Sequence, residues 1–342
     1  MVKKCRFLLM ILPLLLLFGC TGEPEVRADS LSYYNHHYIF PDPIMSNLAD
    51  PFILAASDGY YYLYGTSTNR NGIFASWRSL DLINWEPLGI VFSYEPGSWA
   101  YTNFWAPEVL ERDGQFYLFF TARERGTNRL HIGLATSNSP AGPFVDARGG
   151  PLLGLDFANI DGSPFIDDDG RIFLYFSRDC SENIVSGLHR SDIYVIELDE
   201  YFNPISDPMF LLSPTQRWEL ANVQPGWRWV EAPSVIQIDG KYFMTYSANP
   251  YWSFEYAIGV ATSTSPTGPF VKYVNNPIVR GNMEQGISGP GHNSIFTSHD
   301  GMRTYIAYHV HTHPLIGGGS RRVLISQVEF IEGTMRLVHR NY

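Results

Sequence analysis

The stretch VEAPSVIQIDGKYFMTYS at residues 230–247 sets an acid, Glu231, ahead of an apolar run, an Asp-Gly turn and an aromatic-rich run. Four other stretches share this layout: ADPFILAASDGYYYLYGTS from Ala49, WAPEVLERDGQFYLFFTA from Trp105, IDGSPFIDDDGRIFLYFS from Ile160 and PGHNSIFTSHDGMRTYIAYH from Pro290. Their lead residues are Asp50, Glu108, Asp161, Glu231 and His292, spaced 53 to 70 residues apart. A period of that size, built from strands alone, implies an all-β, five-bladed β-propeller with one blade per copy. Inner strands of a propeller converge on its axis. Four carboxylates and a histidine, distant in sequence, are therefore expected to meet in one polar pocket.

The rest of each blade is also visible. Asp58-Gly59, Asp113-Gly114, Asp169-Gly170, Asp239-Gly240 and Asp300-Gly301 stand at matching places. Asp-Gly suits a tight hairpin because glycine tolerates positive φ, so these turns are expected to join first strands to second strands. LHIGLAT at 130–136 and YAIGVAT at 256–262 read as third strands, each followed by a closely similar Ser- and Pro-containing segment. Residues 73–79 take that part in the first blade, and 322–330 with 335–338 supply the outer strands of the last. Residues 37–40 are expected to help close the ring. No long amphipathic helix or low-complexity linker interrupts residues 30–342, which read as one domain.

Before that domain, Lys3, Lys4 and Arg6 precede an apolar run from Phe7 to Phe18 that is too short to span a bilayer comfortably. Leu17-Phe18-Gly19-Cys20 looks like a bacterial lipoprotein cleavage box. Residues 1–19 then form a signal peptide, Cys20 carries the lipid, and 20–29 form a polar tether. The expected location is the bacterial cell envelope, reached through the lipid alone. The net charge of −10 argues against nucleic acid and polyanionic ligands, and neutral sugars remain compatible. Cys180 is the one cysteine besides Cys5 and Cys20, and it reads as structural.

Carboxylates crowded around one cavity cannot all stay equally acidic, because burial and like-charge repulsion raise at least one pKa. Cleavage of a glycosidic bond needs that inequality: one carboxyl donates a proton while another accepts one. A serine nucleophile has no G-x-S-x-G motif here, and Gly317 to Gly319 lacks the Lys-Ser or Lys-Thr of a phosphate loop.

Taken together and in order, Ala49-Asp50-Pro51-Phe52, Trp105-Ala106-Pro107-Glu108, Ile160-Asp161-Gly162-Ser163-Pro164-Phe165, Glu231-Ala232-Pro233-Ser234 and Gly291-His292-Asn293 resemble glycoside hydrolase family 43. The resemblance spans essentially the whole domain. It implies inverting hydrolysis with Asp50 as general base, Glu231 as general acid, and Asp161 as the ionised neighbour that raises and orients the acid. It implies no cofactor for the chemistry. In many relatives the histidine at His292 faces a structural calcium on the axis, held largely through waters. Calcium prefers oxygen ligands, and a mostly hydrated ion tolerates one imidazole.

The resemblance also frames the substrate. Family members act mostly on arabinofuranosides and xylosides. The lack of a large C-terminal β-sandwich favours release of terminal α-L-arabinofuranose from arabinan or arabinose-decorated polymers. β-Xylosidase is the alternative, followed by endo-arabinanase and a non-catalytic glycan-binding lipoprotein. Related fructan-cleaving propellers retain configuration and carry a Trp-Met-Asn-Asp-Pro setting that Asp50-Pro51 lacks. Trp99, Tyr101, Phe104 and Trp105, with Trp227 and Trp229, are expected to border the pocket mouth. Of these, Phe104, Trp105 and Trp229 are the candidate sugar contacts. Glu108 is a further candidate contact. Of Arg321 and Arg322 only one can face the axis, since neighbours on a strand alternate sides, and Arg321 is the one favoured. His309, His311 and His313 share one face and are assigned to loop or subsite roles.

Overall fold

The computed structural model describes residues 47–67, 72–331 and 333–338. The leader, Cys20, the tether and the segment 37–40 lie outside them. The described chain forms five four-stranded antiparallel sheets, one per sequence copy. The first contains β1 (Leu48–Ala55), β2 (Tyr61–Ser67), β3 (Ile73–Ser79) and β4 (Glu86–Ser93). The second contains β5 (Ala100–Arg112), β6 (Gln115–Glu124), β7 (Leu130–Ser137) and β8 (Val145–Asp146). In the third, β9 (Asn159–Ile166) and β10 (Ile172–Arg178) are followed by an excursion carrying β11 (Ile184–Val185) and β12 (Leu188–Arg190). The sheet resumes with β13 (Asp192–Leu198) and β14 (Met209–Leu212), and β12 pairs in parallel with β15 (Trp227–Arg228). The fourth contains β16 (Val230–Ile238), β17 (Lys241–Ala248), β18 (Ala257–Ser263) and β19 (Val271–Lys272). The fifth contains β20 (Gly291–Thr297), β21 (Thr304–His311), β22 (Arg321–Ile331) and β23 (Thr334–Leu337).

The aromatic second strands lack the alternation of a half-exposed strand because both of their faces are covered. Phe119 and Phe120 are neighbours on β6, yet Phe120 joins Tyr64 and Phe74 of blade one while Phe119 joins Leu174 and Phe176 of blade three. On β10, Phe173 and Tyr175 turn to Met244 and Tyr246 of blade four. Phe243 then packs with Ile306 and Tyr308 of blade five. Leu48, Ile53 and Leu63 meet Phe296, Val323 and Ile325, which returns the packing from blade five to blade one. Five inter-blade cores in cyclic order make the five-bladed propeller. A side chain of this size contributes roughly 1.5–3 kcal/mol when fully buried. All four strands of blade five come from its own copy, so among the described residues closure is sheet against sheet.

The five Asp-Gly turns join first to second strands as expected, but by two geometries. Asp113-Gly114 and Asp239-Gly240 have positive φ at both residues and make two-residue hairpins. At the other three the strands end further apart, and only the glycine is left-handed.

Candidate active site

A left-handed residue stands at a matching place in each first strand: Asp50 (φ 50°), Ala106 (φ 47°), Asp161 (φ 56°), Ala232 (φ 54°) and His292 (φ 44°); the longer β5 has a second, earlier one at Asn103 (φ 57°). The strand pairing slips at the same places, as in a β-bulge. Non-glycine residues in this region are strained, and a repeated hydrogen bond holds them there. The N–H of Ala106 donates to Thr66 Oγ1, that of Asp161 to Thr121 Oγ1, that of Ala232 to Ser177 Oγ and that of His292 to Ser247 Oγ. The N–H of Asp50 donates to His309 Nδ1 at 3.1 Å, which closes the ring from blade one back to blade five. Every acceptor sits near the end of the preceding blade's second strand.

This register corrects the expected alignment of lead residues. Asp50, Asp161 and His292 occupy the left-handed position. Glu231 stands one residue before it, level with Trp105, and Glu108 stands two residues after it, level with Ser163. Glu108 is therefore not a strand-initial acid. It is 8% exposed, and burial pushes its carboxyl up to about 8 against the pull of the Ser163 hydroxyl.

Asp50 lies among nitrogen groups. Its Oδ1 is 3.3 Å from His292 Nδ1, 3.5 Å from His309 Nδ1 and 3.9 Å from Arg321 Nη1. Burial works to raise its pKa. The charges of His292, Arg321 and His309, with a Thr66 hydroxyl bond, outweigh that and lower it to about 2. Burial also depresses both imidazoles, His309 the more strongly, so the standing cation beside Asp50 at neutral pH is Arg321. His309 Nδ1 is occupied by the Asp50 N–H, which assigns its proton to Nε2. Of the two arginines, Arg321 is thus the one beside the carboxylate.

Glu231 has the opposite setting. Burial and then the charge of Asp179 raise it to about 8, with a smaller push from Asp50. Ser191 Oγ donates to Glu231 Oε1 at 2.5 Å and works the other way. One ligand atom each from Asp179, Cys180 and Glu231 lie within 4.8 Å of one another. The charge beside Glu231 that raises it most is Asp179, where the sequence pointed to Asp161. Asp161 is itself driven well above the usual carboxylate range, first by burial and then by Glu231, Asp50, Asp179 and Glu108. Asp161 therefore lies within electrostatic reach of Glu231, Asp50, Asp179 and Glu108. Cys180 is a buried free thiol held protonated by burial and these acids.

The sugar contacts divide. Phe104 is 4% exposed and packs on Phe92, Tyr94 and Phe120, so it belongs to the core between blades one and two rather than to the pocket mouth. Trp229 is 7% exposed, with Trp227 stacked at 6.0 Å and Trp252 edge-on at 5.7 Å. It supports exposed rings and has little open face of its own. Trp105 is partly buried against Leu130, Ala158 and Ile160. His311 is buried between Ser288 Oγ and the Tyr251 carbonyl, and His313 is exposed.

His292 does not sit in an oxygen-rich set. Its neighbours are one carboxylate, a second imidazole and the Arg321 cation, which do not fit direct coordination of calcium.

His309, expected in a loop or subsite role, is instead a fully buried residue of β21 that accepts from the Asp50 N–H, and nothing in the sequence pointed to Ser191 and Asp179. For His309 a signal existed: it ends its repeat where Thr66, Thr121, Ser177 and Ser247 end theirs. For Ser191 and Asp179 none did, because they belong to the one blade with an excursion between its second and third sheet strands.

The chain is similar to known proteins over most of its length. A solved structure of a thermostable family-43 glycoside hydrolase superposes with a TM-score of 0.83 at 40% identity, covering 89% of this chain and 96% of that one. A β-D-galactofuranosidase of Aspergillus niger is 28% identical over 263 residues, 73% of this chain and 69% of the relative. An extracellular exo-α-(1→5)-L-arabinofuranosidase of Streptomyces avermitilis is 24% identical over 288 residues, 82% of this chain and 58% of the relative. The model of glycosyl hydrolases family 43 matches residues 40–335, and the chain belongs to that family.

Proposed function

We propose that the protein is an inverting exo-glycosidase that releases terminal α-L-arabinofuranosyl residues from arabinan or arabinose-containing oligosaccharides. The observation that carries this reading is the opposed ionisation of two carboxyls in one site. Asp50 is lowered to about 2 and Glu231 raised to about 8. Between those values Asp50 is a base and Glu231 an acid. Glu231 gives its proton to the glycosidic oxygen as the bond to the anomeric carbon breaks. Water adds to that carbon from the opposite face, and Asp50 takes the proton that water loses. The products are a free sugar of inverted configuration and the shortened alcohol. A water must fit between base and sugar, which asks for a carboxyl separation of roughly 6.5–9.5 Å. Asp161 orients Glu231 and shares in the like-charge repulsion that keeps a proton in the site. No step calls on a metal. The choice of sugar is supported by the two sequence relatives above, both named as furanosidases.

The test is hydrolysis of 4-nitrophenyl α-L-arabinofuranoside and 4-nitrophenyl β-D-xylopyranoside side by side, with the anomer followed by NMR. Faster cleavage of the arabinoside with inversion is expected. Preference for the xyloside refutes the sugar assignment, and a retained anomer refutes the mechanism.

The same reading fixes the sign of a pH effect. kcat/KM should fall on the alkaline side as Glu231 loses its proton near 8. The Ser191 hydroxyl favours the charged form of Glu231. Ser191→Ala is expected to move that limb upward by about one unit. An unmoved limb, or one displaced downward, refutes Glu231 as the group that titrates.

A further inference from the structure

The loops that leave the second strands sit beside the carboxylates. Glu231 pairs with Ser247 and Gly291 with His309, so β17 and β21 both finish at the carboxylate end of their sheets. The loop after β17 carries Tyr251 and Trp252. The loop after β21, residues 312–320, carries Leu315 and Ile316. The loop after β17 reaches the end of β21, where His311 Nε2 lies 2.8 Å from the Tyr251 carbonyl oxygen, and it meets the second loop beyond. A Cβ on Gly317 would stand 2.8 Å from the Trp252 carbonyl oxygen, and one on Gly318 would stand 2.9 Å from Trp252 Cβ. Glycine at both positions, each with positive φ, allows this approach.

A run of ring contacts leads from His189 to Arg321. His189 stacks on Trp227 at 4.0 Å and 6°, and Trp227 on Trp229, two residues before Glu231. Trp229 meets Trp252 edge-on, Trp252 meets Tyr251 at 5.1 Å, and Arg321 lies 4.7 Å over the Tyr251 ring. Arg321 in turn reaches Asp50. The inner members are largely covered and the outer ones are not: Trp252 is 41% exposed, Tyr251 45%, Leu315 89% and Ile316 80%. Large exposed apolar side chains thus stand on both of two abutting loops, a concentration of the kind that marks a binding surface.

We propose that Trp252 and Tyr251, walled by Leu315 and Ile316, bind the second and later sugar rings of the substrate, on the leaving-group side of the bond cleaved. This inference rests on the proposed glycosidase reading and deepens it. The general acid must face the leaving oxygen, so the remainder of the glycan departs on the side of Glu231. Trp252 rests edge-on against Trp229, two residues before Glu231. Sugar rings carry apolar C–H faces that suit indole and phenol rings, and the wall excludes water from the contact. The occupant is a neutral oligosaccharide end. A platform of this kind makes chain length, rather than the terminal sugar alone, a determinant of rate.

The test compares kcat/KM for a linear arabino-tetrasaccharide with kcat/KM for the methyl α-L-arabinofuranoside, which has no ring beyond the bond. Trp252→Ala is expected to lower that ratio about tenfold. The double variant Leu315→Ser with Ile316→Ser changes exposed side chains only, and it should lower the ratio in the same direction. An unchanged ratio in both variants, or equal loss on both substrates, overturns the platform. If the wild type cleaves neither glycoside, the glycosidase reading fails on its own. Calorimetric titration with the tetrasaccharide then decides: binding that Trp252→Ala weakens upholds the platform, and no binding by the wild type overturns it. A concentration-dependent dimer in sedimentation velocity that the double variant abolishes also overturns it, in favour of a second copy of the chain on this patch.

Discussion

Glu231→Gln is expected to lower kcat/KM on an arabino-oligosaccharide by about 10²–10⁴-fold, while cleavage of the 2,4-dinitrophenyl arabinoside stays within about tenfold of wild type. The contrast follows from what an acid does. A sugar alcohol is a poor leaving group and needs a proton as the bond breaks. A dinitrophenolate leaves unaided. The site is built to hold that proton: burial and the Asp179 charge raise Glu231 to about 8. Glutamine keeps the shape and accepts the Ser191 hydroxyl bond but has no acidic proton. Equal loss on both substrates refutes Glu231 as the acid and assigns it to binding or structure. With the acid removed, the alkaline limb near 8 should also disappear for the activated substrate.

Much of this was legible in the sequence, for a physical reason. A propeller repeats one supersecondary unit, so acids that meet in space recur at one place in the pattern. Asp50, Asp161 and Glu231 recur in that way, and strand alternation lets only one of Arg321 and Arg322 face the axis, with Arg321 the one that lies beside Asp50. The register was not found, because the copies were aligned on their acids. Aligning on proline would have served better: Asp50-Pro51, Ala106-Pro107 and Ala232-Pro233 put the left-handed residue in one column and set Glu231 one place ahead of it. Phe104 and Trp229 were assigned to the mouth by proximity in sequence to Glu108 and Glu231. Even spacing would keep each pair on one face, but the pairing of β5 slips twice between Thr102 and Glu108, which turns Phe104 into the core, and Trp227 and Trp252 cover Trp229. Ser191 and Asp179 lie outside the repeat, and their approach to Glu231 depends on an excursion whose path no local pattern encodes.

Asp50→Asn should cost about 10²–10⁴-fold on every substrate, whatever its leaving group, because water must lose a proton in each case. Asparagine is the informative replacement. It tolerates left-handed backbone better than most residues, so the φ of 50° and the N–H bond to His309 survive. What disappears is the negative charge that Arg321 and the two imidazoles surround. Their arrangement stabilises a carboxylate and offers an amide little, so the loss is chemical rather than architectural. A small anionic nucleophile needs no base. Azide should therefore restore turnover of the dinitrophenyl arabinoside in Asp50→Asn and give a glycosyl azide of inverted configuration. Full activity in this variant refutes Asp50 as the base. Azide rescue with retained configuration points instead to a covalent intermediate, and the roles of the carboxyls would then have to be exchanged.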